Sequence, residues 1–287
     1  MIDILFEVGI SGLLQGLILA ILVLGVMIPF KLLNLPDITS EGSFPLGGCS
    51  YAVLLTFQFN PLLSALIATI MAGFAGVCTA AINIKYKINS LLAGIIVSTM
   101  LYSVNLRMMG KSNIILPELS NFFTDAISNV NTNILLTIFL NLIFIAGVFF
   151  FLKTEKGLRF RSVGLNQRFA QKQGINLNKN IVFGLFLANC LAGFAGIIFV
   201  QTNNYADIGM SIGIIIQALA AMLIGEKVLG TESLLKIISA PFVGAIIYQQ
   251  IQGFALLLGL APSDLKFMTG AIVLFIISLP SAKSSSA

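Results

Sequence analysis

The chain has 287 residues, 57% hydrophobic and only 9% charged, with a mean hydropathy of +1.01. A soluble domain is roughly half apolar and about a quarter charged, so this composition excludes an ordinary globular enzyme and defines a polytopic membrane protein. The net charge is +5 and histidine is absent, which removes the commonest metal ligand and acid-base group; the basic excess belongs to loops beside membrane spans, not to a nucleic-acid groove.

Uncharged runs mark the spans in chain order: Val8 to Phe30, Gly42 to Ile84, Ile88 to Leu106, Ala126 to Leu152, Asn180 to Ala206, Ile208 to Gly225, Ile237 to Ser263 and Phe267 to Ala282. The second run is about twice the roughly 20 residues that cross the hydrocarbon, and Asn60-Pro61 offers it a turn, so it holds two spans. The expected fold is all-α, about nine transmembrane helices with one or two broken or re-entrant. A β-barrel is excluded because the runs lack period-2 alternation. No polar stretch is long enough for a separate core, so residues 1–287 are expected to form one membrane domain. The amino terminus, MIDILFEVG, lacks the basic region of a cleavable signal, and the first helix is expected to stay. Cys49, Cys78 and Cys190 lie in apolar runs and read as buried free thiols.

Basic residues near span ends set orientation. With the segment 153–180 inside, Arg107, Lys111 and Lys266 fall outside and the remaining Lys and Arg, Lys283 included, fall inside. The carboxyl terminus is then cytoplasmic and the amino terminus outside.

That central segment, TEKGLRFRSVGLNQRFAQKQGIN from Thr154 to Asn176, is polar and basic. Gly164-Leu165-Asn166 can break the chain and cap a short helix, Gln167 to Gln173 supply two turns, and Gly174 supplies a left-handed stop. Phe169 is then an apolar knob with a basic rim, the shape that enters a groove on a soluble partner. The alternative is a loop that binds anionic lipid and fixes topology.

Two polar clusters precede apolar helices: Pro36-Asp37-Ile38-Thr39-Ser40-Glu41-Gly42-Ser43, and Asp207-Ile208-Gly209-Met210-Ser211-Ile212-Gly213. Charges in hydrocarbon cost roughly 3 kcal/mol each on insertion scales, so each acid needs a reason. Broken helix starts lining a polar cavity would supply one, with Asp37, Ser40, Glu41, Ser43, Phe44, Asp207, Met210 and Ser211 along a substrate path. Simple capping by Asp37 and Asp207 is the other reading, and the two are compatible. Gly12 and Gly16, Gly209 and Gly213, and the AGFAG stretches at Ala72 to Gly76 and Ala192 to Gly196 provide small faces for close helix packing.

RSVGLNQRFAQKQGIN resembles the cytoplasmic coupling segment of ABC importer permeases of the branched-chain amino acid and ribose group, through Arg161, Val163, Gly164, Asn166, Ala170, Gly174, Ile175 and Asn176. Ser162 and Phe169 depart mildly from the group's pattern. LNLPDITSEGSFPLGG, INSLLAGIIVSTMLYSVNLRMMGKSN and APSDLKFMTGAIVL are similar to three blocks of a subgroup associated with amino acids, aromatic ones included. The resemblance implies a permease subunit in a bacterial inner membrane, pairing with a second copy. It also implies two ATP-binding subunits, gripping Arg161, Gly164, Asn166, Arg168, Phe169, Ala170 and Gly174, and an extracytoplasmic solute-binding protein. ATP and magnesium belong to the partner subunit: the nearest thing here to a phosphate loop, Gly110-Lys111-Ser112, has Asn105 where the first glycine should stand. A carrier driven by an ion gradient through Asp37, Glu41 or Asp207 is the competing reading, and it leaves the central segment idle. An intramembrane transferase or hydrolase would lack a catalytic histidine, a metal cluster and a serine elbow.

Overall fold

The computed structural model describes residues 2–116, 130–261 and 264–278. Within them the chain is helical apart from one short strand pair. α1 (Ile2–Met27) runs into a π-helical turn, Ile28–Leu32, where Pro29 cannot donate the next α-helical bond and the Leu33 N–H reaches the Ile28 carbonyl at 3.1 Å. The chain then turns through Asn34 (φ 53) into a non-helical linker. α2 (Ser40–Thr56) starts inside the bundle, because Asp37, Thr39 and Ser40 are fully buried.

α3 (Pro61–Tyr86) begins at the expected turn: Asn60 accepts from the Leu62 N–H, and Pro61 occupies the first helical position. α4 (Ser90–Met109) is capped in the same way by Asn89 and ends at Gly110 (φ 68). Gly110 is thus a helix stop followed by β1 (Asn113–Ile115). After α5 (Val130–Lys153) come two short helices, α6 (Glu155–Leu165) and α7 (Gln167–Lys172), and then α8 (Leu177–Asn203). β2 (Tyr205–Asp207) pairs antiparallel with β1, Asn113 opposite Asp207. A 3-10 turn, Ile208–Ser211, leads through Gly213 (φ 83) into α9 (Ile214–Leu229), followed by α10 (Leu234–Leu257) and α11 (Leu265–Ser278).

Seven of the described helical segments are long and apolar enough to cross a membrane. α2, with 17 residues, and α11, with 14 described, are shorter, so the described residues hold seven to nine spans against the nine that the sequence predicts. The starts and ends predicted at Ala126, Ser263 and Ala282, and Lys283, lie outside the described residues. The predicted break in the Ile208 run falls at Gly213, and the helix continues past Gly225 to Leu229, with Glu226 paired to Lys31 at 2.9 Å.

α1 and α8 form the buried centre, and α5 is largely exposed to the surroundings. Small residues set the closest approaches. A Cβ on Gly47 of α2 would overlap the backbone of Gly193 in α8, and one on Gly196 would overlap the Phe44 carbonyl. The second AGFAG stretch thus lets α2 sink against α8, while Gly193 also meets Ala72 of the first stretch.

Candidate functional site

Asp37 is 0% exposed and tied into a polar knot. Its Oδ1 accepts from the Thr39 N–H at 2.9 Å and from the Thr39 hydroxyl, and its Oδ2 accepts from Asn189 Nδ2 at 3.2 Å. The Thr39 and Thr79 hydroxyls lie 2.6 Å apart, and Ser43 Oγ donates to Asn189 Oδ1 at 2.6 Å. Gly94 of α4 leaves room for this knot, since a Cβ there would fall 2.8 Å from Asp37 Oδ1. One carboxylate therefore joins the start of α2 to α3 and α8. Hydrogen bonds to both of its oxygens are what a buried acid requires. Asp207 caps the 3-10 turn, its Oδ1 accepting from the Gly209 N–H at 2.6 Å, whereas the N-cap position of α2 is Thr39, not Asp37.

Glu41 stands differently. It lies in the first turn of α2, and its Oε1 accepts from the N–H of Gly213, the cap of α9, at 2.8 Å. Two helix N-termini thus converge on one carboxylate, and both dipoles favour its negative charge. The 3-10 turn and the left-handed Gly213 make the meeting possible by halting the chain before α9 starts.

Beside Glu41 opens a cavity of about 450 Å³, walled by Ile38, Gly42, Pro45, Ile208, Ile212 and Ser211, and by Ile95, Ser98, Thr99, Tyr102 and Asn105 of α4. The α4 residues recur at three- and four-residue steps, so they form one stripe. Tyr102 and Thr99 are exposed on it, unlike the apolar surface suited to lipid. Of the predicted pathway residues, Glu41 and Ser211 line this cavity. Asp37, Ser40, Ser43, Phe44, Asp207 and Met210 are not part of its wall: Phe44 packs on Phe199 with ring centroids 5.8 Å apart, Met210 reaches toward Gly48, and Ser40 is buried with no hydroxyl partner among the described residues.

At the basic end, Asn166 leaves helical geometry (φ −158) and its Oδ1 accepts from the Phe169 N–H at 3.0 Å, capping α7 as predicted, and Gly174 (φ 76) closes it. Gly164 differs from expectation. It does not break the chain but lies inside α6, where a Cβ would overlap the Leu32 carbonyl of the π-turn. Its role is contact. Val163 and Ala170 are buried, Arg161 is half-buried, and Arg168 is exposed. Phe169 is 57% exposed, and Leu165, unmarked in the sequence reading, is 84% exposed beside it in the chain turn.

Residues 9–277 match the family described as branched-chain amino acid transport system, permease component. The chain belongs to that permease family. The permease is 36% identical over 267 residues to a tyrosine transport system permease protein of Clostridioides difficile (strain R20291), covering 92% of this chain and 88% of the relative. It is 33% identical to an uncharacterised protein of Rickettsia prowazekii (strain Madrid E), over 96% and 97% of the two chains. A nucleoside ABC transporter permease protein of Lactococcus lactis subsp. cremoris (strain MG1363) is 28% identical over 58% of this chain and 47% of its own. No solved structure matches. The permease is a multi-pass membrane transport component of the ABC permease group, not an enzyme.

Asn189, Thr79 and Asn105 escape a reading based on charge, since single neutral polar residues in apolar runs give little local signal. The signal for Asn105 and Thr99 lies in their shared stripe on α4.

Proposed function

We propose that the permease is the membrane subunit of an ATP-driven importer for a zwitterionic amino acid, hydrophobic or aromatic. The observation that carries this reading is Glu41, a carboxylate set at the junction of two helix starts on the wall of a mostly apolar cavity. An α-ammonium group leaving water meets the carboxylate, and the substrate carboxylate meets free amides in the first turn of α9. Ile38, Pro45, Ile95 and Tyr102 offer apolar surface to the side chain. The tyrosine permease relative supports the same class.

A second copy closes the exposed polar stripe of α4, making a homodimer around one path. An extracytoplasmic binding protein delivers the solute. Two ATP-binding subunits carry ATP and magnesium and take Phe169 and Leu165 into a groove, with Arg168 on its rim. The basic end lies in the cytoplasm and the amino terminus outside, in a bacterial inner membrane. Movement of the partner reaches the path through Gly164 and the π-turn, which leads into the Asp37 knot.

The test is uptake of labelled tyrosine and phenylalanine by proteoliposomes holding the complete transporter. ATP-dependent accumulation that survives collapse of ion gradients is expected. Accumulation driven by a gradient without ATP would establish the ion-coupled carrier instead.

A further inference from the structure

Asn105 is the buried polar side chain that the transport reading leaves unused. It is 0% exposed, it lines the Glu41 cavity, and both its carboxamide nitrogen and its oxygen lack hydrogen-bond partners among the described residues. The other buried polar side chains in that condition are single hydroxyls, or Gln201, whose nitrogen still donates to the Tyr51 hydroxyl at 2.6 Å. A carboxamide carries two donor hydrogens and an acceptor oxygen. Buried polar atoms in native proteins are nearly always paired, and an exception at a cavity wall points to a partner that comes and goes.

Position narrows that partner. α2 and α4 run side by side in the same direction: a Cβ on Gly42 would touch the Ser98 backbone, and Ser50 Oγ lies 3.9 Å from Met108 Sδ. Glu41 is therefore level with Ser98, and Asn105 stands about 10 Å farther along α4 at the helical rise per residue. An aromatic amino acid spans about 7 Å from its ammonium nitrogen to a para hydroxyl, which falls within that interval and leaves angled hydrogen bonds at its two ends to close it. The wall between them is mostly apolar or aromatic, and its residues include no cation. A neutral group fits the far end better than a charged one.

We infer that Asn105 is a specificity-determining residue that reads the phenolic hydroxyl of an aromatic amino acid whose ammonium group sits at Glu41. The phenol donates to Oδ1 and accepts from Nδ2, so tyrosine satisfies both orphaned atoms while phenylalanine satisfies neither. This rests on the amino-acid reading above.

The experiment measures uptake of labelled tyrosine and phenylalanine by the complete transporter, wild type and Asn105→Leu, at saturating binding protein. The tyrosine-to-phenylalanine ratio should fall about tenfold as one neutral hydrogen-bond pair is lost, with phenylalanine uptake retained. Asn105→Ala, which adds no bulk, should move the ratio the same way and decides the matter if the leucine variant does not assemble. An unchanged ratio in assembled variants, or equal loss of both substrates, overturns the role of Asn105 and leaves the amino-acid reading standing. Wild-type transporter that carries neither amino acid overturns both.

Discussion

Asp37, in the linker before α2, and Glu41, in its first turn, are four residues apart, and their carboxylates meet different partners. Both oxygens of Asp37 are engaged by Thr39 and Asn189, whereas Glu41 shares one oxygen with Gly213 and faces a cavity. Asn189→Leu removes the bond to Asp37 and strands the Ser43 hydroxyl. A loss of about 1–3 kcal/mol is expected, read as a fall of several degrees in the detergent-solubilised permease at roughly 2–4 °C per kcal/mol. Asp37→Asn should cost less, because its oxygen still accepts from Thr39 while its new N–H group opposes that of Asn189. Asp207→Asn should be nearly silent in both melting and uptake, since asparagine also caps. If the Asp37→Asn transporter is as stable as wild type and keeps its ATPase coupling yet does not transport, Asp37 touches substrate. The sequence shows that these acids need partners, because charge in an apolar chain is conspicuous. It does not show which acid is sealed, since that depends on Asn189, a neutral residue 152 positions away.

α7 is the most legible element, because caps and stops act through neighbours in sequence. Asn166 and Gly174 do what their residue types allow. Gly164 misleads for the opposite reason: glycine reads locally as a break, and here it serves contact with Leu32 across 132 positions. α6 went unpredicted although Thr154 marks its start, accepting from the Gly157 N–H at 3.1 Å. Gly164→Val should force α6 off the π-turn, costing roughly 1–3 kcal/mol by overpacking, and should cut transport in chains that still insert. Phe169→Asp leaves the fold intact, because its side chain is exposed, and should abolish co-purification of the ATP-binding subunit. Retained co-purification and full uptake would remove the knob from the mechanism.

For the whole molecule, composition and run length give the class and a count near the seven to nine spans seen, and the positive-inside rule leads to an expected orientation that no single contact encodes. Lys31 pairs with Glu226 at 2.9 Å, and α6 packs on the π-turn that carries Lys31. A cysteine at Gln171, in a background without Cys49, Cys78 and Cys190, should be shielded from an impermeant thiol reagent in intact cells, and one at Asp3 should be labelled. The convergence of two helix starts was not legible, because the two clusters are 172 residues apart at Glu41 and Gly213 and each alone reads as a cap. That convergence is also what the transport account depends on. The most direct measurement is ATP-driven uptake of labelled tyrosine by proteoliposomes with Glu41→Gln, a change that keeps an acceptor for Gly213 and removes the charge. Uptake at least about tenfold below wild type is predicted, the equivalent of one charged hydrogen bond, with assembly and basal ATP hydrolysis retained; wild-type uptake by that variant would contradict the account.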